Sequence, residues 1–168
     1  MHPRGEYGFY LSWCRFLYFS LFLLYSLANI ELVRPYLLCF LIDDDLDDQE
    51  IFSLALDELD QTIKRVMASD GEEGLMKLNL DPENPPDYIF LDLNMPRMNG
   101  IECLREIKKI PHLLNTKIIM YSTTDAKDVR DLTKELGAHD FLVKPPSMMK
   151  LVKFLSEVLH VQTPTNKG

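Results

Sequence analysis

In the stretch YIFLDLNMPRMNG, residues 88–100, a run of apolar residues ends on one carboxylate, Asp92. A short apolar run bounded by turn residues is typical of a buried strand in a parallel sheet. Pro96 and Gly100 follow the aspartate, and both residue types favour turns. The stretch therefore predicts a strand whose carboxyl end presents Asp92 beside a rigid loop.

Segments of strand and helix character alternate on both sides of this stretch. The predicted strands are YLLCFLI (36–42), TIKRVMA (62–68), YIFLDL (88–93), TKIIMYS (116–122) and DFLVK (140–144). The predicted helices are QEIFSLALDEL (49–59), EEGLMKLNL (72–80), IECLREIKKI (101–110), DAKDVRDLTKEL (125–136) and SMMKLVKFLSEVLH (147–160). Such alternation predicts an α/β fold, a doubly wound parallel sheet of five strands with helices on both faces.

The composition, 46% hydrophobic and 26% charged residues, is that of a soluble globular protein. The formal net charge of −8 argues against nonspecific binding of nucleic acid through a basic face. The three cysteines, Cys14, Cys39 and Cys103, have neither paired nor zinc-binding spacing. That pattern indicates a reduced, intracellular setting.

The first part of the chain differs in composition from the rest. Residues 9–28 are strongly apolar, with Arg15 as their only charge, and a helix of about 20 residues would cross a bilayer. Composition alone leaves two interpretations open, a membrane anchor or an extension without a role in function. We therefore divide the chain into a hydrophobic N-terminal segment (1–34), one α/β domain (35–162) and a polar tail (163–168).

Candidate polar side chains lie at or just after the carboxyl ends of the first, third, fourth and fifth predicted strands. In sheets of this kind ligands bind beyond the carboxyl ends of the strands, so these residues are the candidates for a site. Clustered carboxylates repel one another unless a cation neutralises them, and oxygen ligands with water suit Mg²⁺. The candidates, in chain order, are Asp43, Asp44, Asp45, Asp92, Ser122, Thr123 and Lys144.

This set of groups fits phosphoryl transfer to an aspartate. The Asp92 carboxylate would attack phosphorus and become an acyl phosphate. Mg²⁺ and Lys144 would offset the charge on the phosphoryl oxygens, which is most of what this reaction requires of a protein. The loop with Pro96 and Gly100 would hold the backbone beside the metal, where the carbonyl oxygen of Asn94 can act as a ligand.

Four motifs, FLIDDD, YIFLDLNMPRMNG, IIMYSTT and FLVKPP, occur in the order found in receiver domains of two-component response regulators. The chain resembles that family over about residues 37–160. The resemblance implies a CheY-like, flavodoxin-like sheet with strand order 2-1-3-4-5. It also implies a stand-alone receiver in the cytoplasm, tethered to a membrane if residues 9–28 are an anchor.

The resemblance assigns the acceptor and the metal ligands. Asp92 is the phospho-acceptor. Asp44 is the direct Mg²⁺ ligand, Asp43 assists through water, and the backbone carbonyl of Asn94 completes the protein ligands. A third consecutive acid, Asp45, leaves the register of the acidic pair open by one residue.

The resemblance also assigns the residues that respond to phosphorylation. Ser122 is the switch hydroxyl, and Lys144 pairs with a phosphoryl oxygen. Pro145 occupies a position prone to a cis peptide bond. Phe141 takes the place of the switch aromatic, and without a hydroxyl it can act only through packing.

The implied partners are proteins. A histidine kinase or a histidine phosphotransfer protein would donate the phosphoryl group, docking at the first helix, residues 47–59. Phosphorylation would remodel the face formed by residues 125–160, which would contact a downstream protein without direct binding of nucleic acid. The chain would be an acceptor with at most autophosphatase activity, and no turnover enzyme.

Two alternatives remain open. A haloacid-dehalogenase-type phosphatase would use Asp43 as nucleophile with Asp45, and Ser122 and Lys144 in supporting roles. That type needs a later acidic pair, whereas Glu157 is the single acid after Lys144. The other alternative is a degenerate receiver that acts only as a binding module.

Overall fold

The apolar runs form one five-stranded sheet in the computed structural model, which describes residues 34–161. The strands are β1 (Leu38–Ile42), β2 (Lys64–Ala68), β3 (Tyr88–Asp92), β4 (Lys117–Ser122) and β5 (Asp140–Val143). They lie in the order β2-β1-β3-β4-β5, and all neighbouring pairs are parallel. The predicted fold class and strand order are thereby confirmed. Every residue of β3 is buried, as a central strand covered on both faces requires.

Five helices connect and follow the strands. They are α1 (Leu46–Leu59), α2 (Gly71–Leu80), α3 (Gly100–Ile107), α4 (Lys127–Glu135) and α5 (Met148–Leu159), with a 3₁₀ turn at Pro111–Leu113. Side chains cap three of them: Asp45 caps α1, Asp70 caps α2, and Asn99 forms a capping box with Glu102 at α3. A capping carboxylate or amide satisfies backbone N–H groups that the first helical turn leaves without partners.

The alternation of side chains along β3 divides the core into two layers. Phe90 points to the layer shared with α1 and α5, where its ring meets Phe52 edge-on at a centroid distance of 4.8 Å. Ile89 and Leu91 point to the opposite layer, which they share with Leu104 of α3. This two-sided burial fixes the register of the central strand, because a shift by one residue would exchange the two faces.

No helix within the described residues 34–161 is long and apolar enough to cross a membrane. The apolar segment 9–28 and its two interpretations lie outside the described residues, and so does the polar tail 163–168. The proposed division of the chain into segments stays a prediction.

The loop after β3 is packed directly against the strand end. The N–H of Gly100 donates to the carbonyl oxygen of Leu93 at 2.9 Å, which places the start of α3 on the backbone beside Asp92. A Cβ atom at residue 100 would overlap the carbonyl oxygen of Asp92. Glycine is therefore required here for close approach of two backbones.

Gly100→Ala is expected to lower the free energy of unfolding by about 2 kcal/mol, because the backbone of Asp92 and Leu93 cannot rotate away from the added methyl group. Gly74→Ala is the matched control. Its Cβ would lie 2.6 Å from Cδ1 of Ile42 and 3.1 and 3.2 Å from Cγ1 and Cγ2, so the overlap is with a side chain and not with backbone. Urea denaturation of both variants measures the difference, and equal losses would contradict the close-approach explanation.

Candidate functional site

The three consecutive acids after β1 have three different environments. Asp43 is fully buried, and its Oδ1 accepts a hydrogen bond from the N–H of Asp45 at 3.0 Å. Asp44 is exposed. The side chain of Asp45 accepts from the N–H groups of Asp47 and Asp48 and so caps α1. The geometry therefore sets the pair at the sheet edge as Asp43 and Asp44, with Asp45 in a capping role.

Asp92 lies at the carboxyl end of β3 and is 4% exposed. Its Oδ2 accepts a hydrogen bond from the N–H of Asn94 at 2.7 Å, which fixes the plane of the carboxylate. One carboxylate oxygen from each of Asp43, Asp44 and Asp92 lies within 4.8 Å of the others. Two buried acids and one exposed acid each offer a carboxylate oxygen as a ligand, and such a set fits a partly hydrated Mg²⁺.

Lys144 reaches this cluster from the end of β5. Its Nζ donates to Asp43 Oδ2 at 2.8 Å and to Asp48 Oδ2 at 2.7 Å, and it lies 3.2 Å from Asp92 Oδ1. The ammonium group also lies over the ring of Tyr121, 5.1 Å from its centroid. Burial lowers the pKa of Lys144, but the bonds to Asp43 and Asp48 outweigh that effect and hold the pKa above its ordinary value.

Burial raises the pKa of Asp43 from 3.8 to about 6, although the hydrogen bond and charge of Lys144 act in the opposite direction. The charge of Asp92 raises it further. Because this pKa is higher in the folded than in the unfolded state, the folded protein holds the proton more tightly. The contribution of Asp43 to the free energy of unfolding is therefore largest below about pH 4, and it is lost as the pH rises through about 6.

Asp43→Asn is accordingly expected to raise the free energy of unfolding of the metal-free protein by about 1 kcal/mol at pH 7. The amide removes a buried charge and keeps one oxygen, which can accept from the N–H of Asp45. Lys144 loses its bond to Asp43 and keeps Asp48 and Asp92 as partners. At pH 4 the carboxyl is largely protonated, and the gain should disappear. Urea denaturation at both pH values measures it, with Asp44→Asn as an exposed control. A gain that is equal at both pH values would refute the desolvation argument.

The predicted switch residues occupy adjacent strands. Ser122 ends β4, is fully buried, and accepts the N–H of Thr124 on its Oγ at 3.2 Å. Phe141 in β5 is half-buried, with the guanidinium of Arg130 over its ring at 4.6 Å. Thr123 is exposed. These positions are described by the structure, and the switching roles of Ser122 and Phe141 stay predictions.

Two features differ from the sequence-based expectations. The resemblance implied a cis-prone bond before Pro145, whereas no cis peptide bond occurs within residues 34–161. Asp48 was not identified as a site residue, yet it makes the shortest of the three contacts of the Lys144 ammonium. The available signal was the second acidic pair in DDDLDD, which a helix beginning at Leu46 places in its first turn.

A family model, the response regulator receiver domain, matches residues 39–156. The chain belongs to the response regulator receiver family. This receiver is 36% identical to the chemotaxis protein CheY of Thermotoga maritima over 91 residues, which are 54% of this chain and 72% of that protein. It is 34% identical to a CpxR homologue of Haemophilus influenzae, a transcriptional regulatory protein, over 120 residues, or 71% of this chain. The receiver spans about half the length of that relative, 48%.

Solved structures show the same receiver fold. The crystal structure of a complex of CheX, CheY, BeF3 and Mg²⁺ from Borrelia burgdorferi superposes with a TM-score of 0.63 at 26% identity. The superposition covers 73% of this receiver and 89% of that chain. The resemblance inferred from the four motifs is thus confirmed.

Proposed function

We propose that this receiver accepts a phosphoryl group on Asp92, with Mg²⁺ held by Asp43, Asp44, Asp92 and the backbone carbonyl of Asn94. The observation that carries the proposal is the close grouping of three carboxylates within 4.8 Å, with the Lys144 ammonium 3.2 Å from Asp92. Three carboxylates and one ammonium leave the site negatively charged, so it would repel an incoming phosphoryl dianion. A further cation is needed to offset that charge.

In the proposed reaction a carboxylate oxygen of Asp92 forms a bond to phosphorus. The bond from phosphorus to the donor nitrogen or oxygen breaks, and the donor keeps that electron pair. The N–H of Asn94 orients the carboxylate through Oδ2, and Lys144 lies against Oδ1. When bound, Mg²⁺ supplies charge compensation for the phosphoryl oxygens. Lys144 would donate to one of those oxygens and keep its own charge.

The response to phosphorylation is proposed to pass through Ser122 and Phe141. The hydroxyl of Ser122 would exchange its bond from the Thr124 N–H for one to the phosphoryl group. Phe141 would move inward from beneath the guanidinium of Arg130, which covers it in the present state. A shift of this kind is a change of population between two packings, biased by the added charge.

The partners follow from the same proposal. A histidine kinase or phosphotransfer protein would approach Asp92 along α1, and a downstream protein would contact the face formed by residues 125–160. The chain would act as a phosphoryl acceptor in two-component signalling, and its only hydrolysis would be that of its own acyl phosphate. The phosphatase alternative gains no support, because Asp45, its second acid, caps α1.

The test is phosphoryl uptake from acetyl phosphate, measured by intact-protein mass spectrometry. With Mg²⁺ present, we expect a mass gain of one phosphoryl group, and with excess EDTA we expect none. Absence of a gain at any Mg²⁺ concentration would favour the remaining alternative, a degenerate receiver that only binds partners.

A further inference from the structure

The ammonium group of Lys144 is shared by three carboxylates that differ in their relation to the metal. Asp43 and Asp92 belong to the group of acids that can hold an ion, and Asp48 does not. The contact to Asp48 is 2.7 Å, against 2.8 Å to Asp43 and 3.2 Å to Asp92. An ammonium has three donors, so all three contacts can be made at once.

A lysine that pairs only with metal ligands would compete with the metal. Asp43 Oδ2 and Asp92 Oδ1 face Lys144, and an ion bound to these acids would draw their charge away from the ammonium. Lys144 is 11% exposed, so water cannot fully replace the lost partners. Asp48 offers a carboxylate that remains available to Lys144 when the other two are engaged.

We propose that Asp48 is a positioning residue that holds Lys144 beside Asp92 and reduces its competition with Mg²⁺ for Asp43 and Asp92. The inference rests on the proposed function, since it concerns metal binding at the same site. It assigns to the first turn of α1 a task beyond kinase docking. The turn reaches the site because Asp45 caps the helix and thereby begins it at Leu46.

Asp47 provides a matched control in the same helical turn. Both Asp47 and Asp48 are acids in the first turn of α1, where either charge favours the helix dipole. Asp47 is exposed, whereas Asp48 is bonded to Lys144. Substituting either acid removes one negative charge near the site, and only the Asp48 substitution removes a partner of Lys144.

The experiment measures Mn²⁺ binding to the full chain by electron paramagnetic resonance of the free ion. We expect Asp48→Asn to weaken binding about fivefold, because Lys144 then depends on Asp43 and Asp92 alone. Asp47→Asn should weaken binding less than about twofold through long-range charge. Asp48→Glu, which keeps a carboxylate at this position, should retain most of the Mn²⁺ affinity of the unsubstituted protein. In a Lys144→Met background the effect of Asp48→Asn should fall to that of Asp47→Asn.

Equal weakening by Asp47→Asn and Asp48→Asn would overturn the inference, and so would an unchanged Asp48→Asn effect in the Lys144→Met background. Circular dichroism confirms that each variant is folded before titration. Failure of the proposed function looks different: the unsubstituted protein would then neither bind Mn²⁺ nor take up a phosphoryl group. If it does both and Asp48→Asn behaves as Asp47→Asn, only the positioning role is lost.

Discussion

Asp92→Asn is expected to reduce phosphoryl uptake from acetyl phosphate by at least about 100-fold, because the amide lacks the nucleophilic oxygen that the acyl phosphate requires. The substitution should leave the fold intact. Asparagine retains a side-chain oxygen that can accept the N–H of Asn94, as Oδ2 does now. Intact-protein mass spectrometry after incubation with acetyl phosphate and Mg²⁺ measures the uptake.

Asp131→Asn is the control for this substitution, since it removes an equal charge from an exposed position on α4. Its uptake should equal that of the unsubstituted protein. Urea denaturation should show that Asp92→Asn is at least as stable as the unsubstituted protein, because one acid of a crowded cluster has been neutralised. Full uptake by Asp92→Asn would refute the assignment of the acceptor.

Lys144→Met is expected to lower the free energy of unfolding of the metal-free protein by about 3 kcal/mol at pH 7, because the buried acids Asp43 and Asp92 lose their internal cation. The loss should shrink towards pH 4. Without the lysine the folded-state pKa of Asp43 rises further above 3.8, so the destabilisation grows with pH over that range. Urea denaturation across pH 4 to 7 measures both effects.

Mg²⁺ should recover part of this loss, since an ion that binds only the folded state stabilises it. Lys150→Met is the matched control, because Lys150 is exposed in α5 and its removal should cost little. A Lys144→Met protein as stable as the Lys150→Met control, with no response to Mg²⁺, would mean that the cluster does not depend on an internal cation.

The placement of the site could be predicted from the sequence because topology alone determines it. The carboxyl ends of parallel strands share one edge, so Asp43, Asp92 and Lys144 converge however the side chains pack. The strand order and the family followed from four motifs in sequence order. None of these steps required the exact start of a helix or the rotamer of a side chain.

The choice of partners within the acidic run could not be predicted in this way. DDDLDD contains a buried acid, an exposed acid, a helix cap and a partner of Lys144, and these differ only in their position in space. The apolar spacing predicted a helix from Gln49 and the family resemblance one from Asp47, whereas α1 begins at Leu46, because Asp45 caps it. Asp48 consequently lies in the first turn of α1, where it bonds to Lys144, 96 residues away in the chain.

The end of the third helix also differs from its predicted position for a local reason. The third predicted helix extended to Ile110, but α3 ends at Ile107 and a 3₁₀ turn begins at Pro111, where proline cannot continue the hydrogen bonding of a helix. The cation–π contact between the guanidinium of Arg130 and the ring of Phe141 was also not predicted. It joins α4 to β5 across a helix–strand connection, and the sequence pattern gives no register for such a contact.

Phosphorylation of Asp92 is tested by locating the phosphoryl group in the chain. The protein is phosphorylated with acetyl phosphate and Mg²⁺, the acyl phosphate is reduced with borohydride, and the labelled peptide is identified by tandem mass spectrometry. We expect the reduced residue to be Asp92, within the peptide that contains residues 88–97. Label on Asp43, or on any acid other than Asp92, would contradict this assignment.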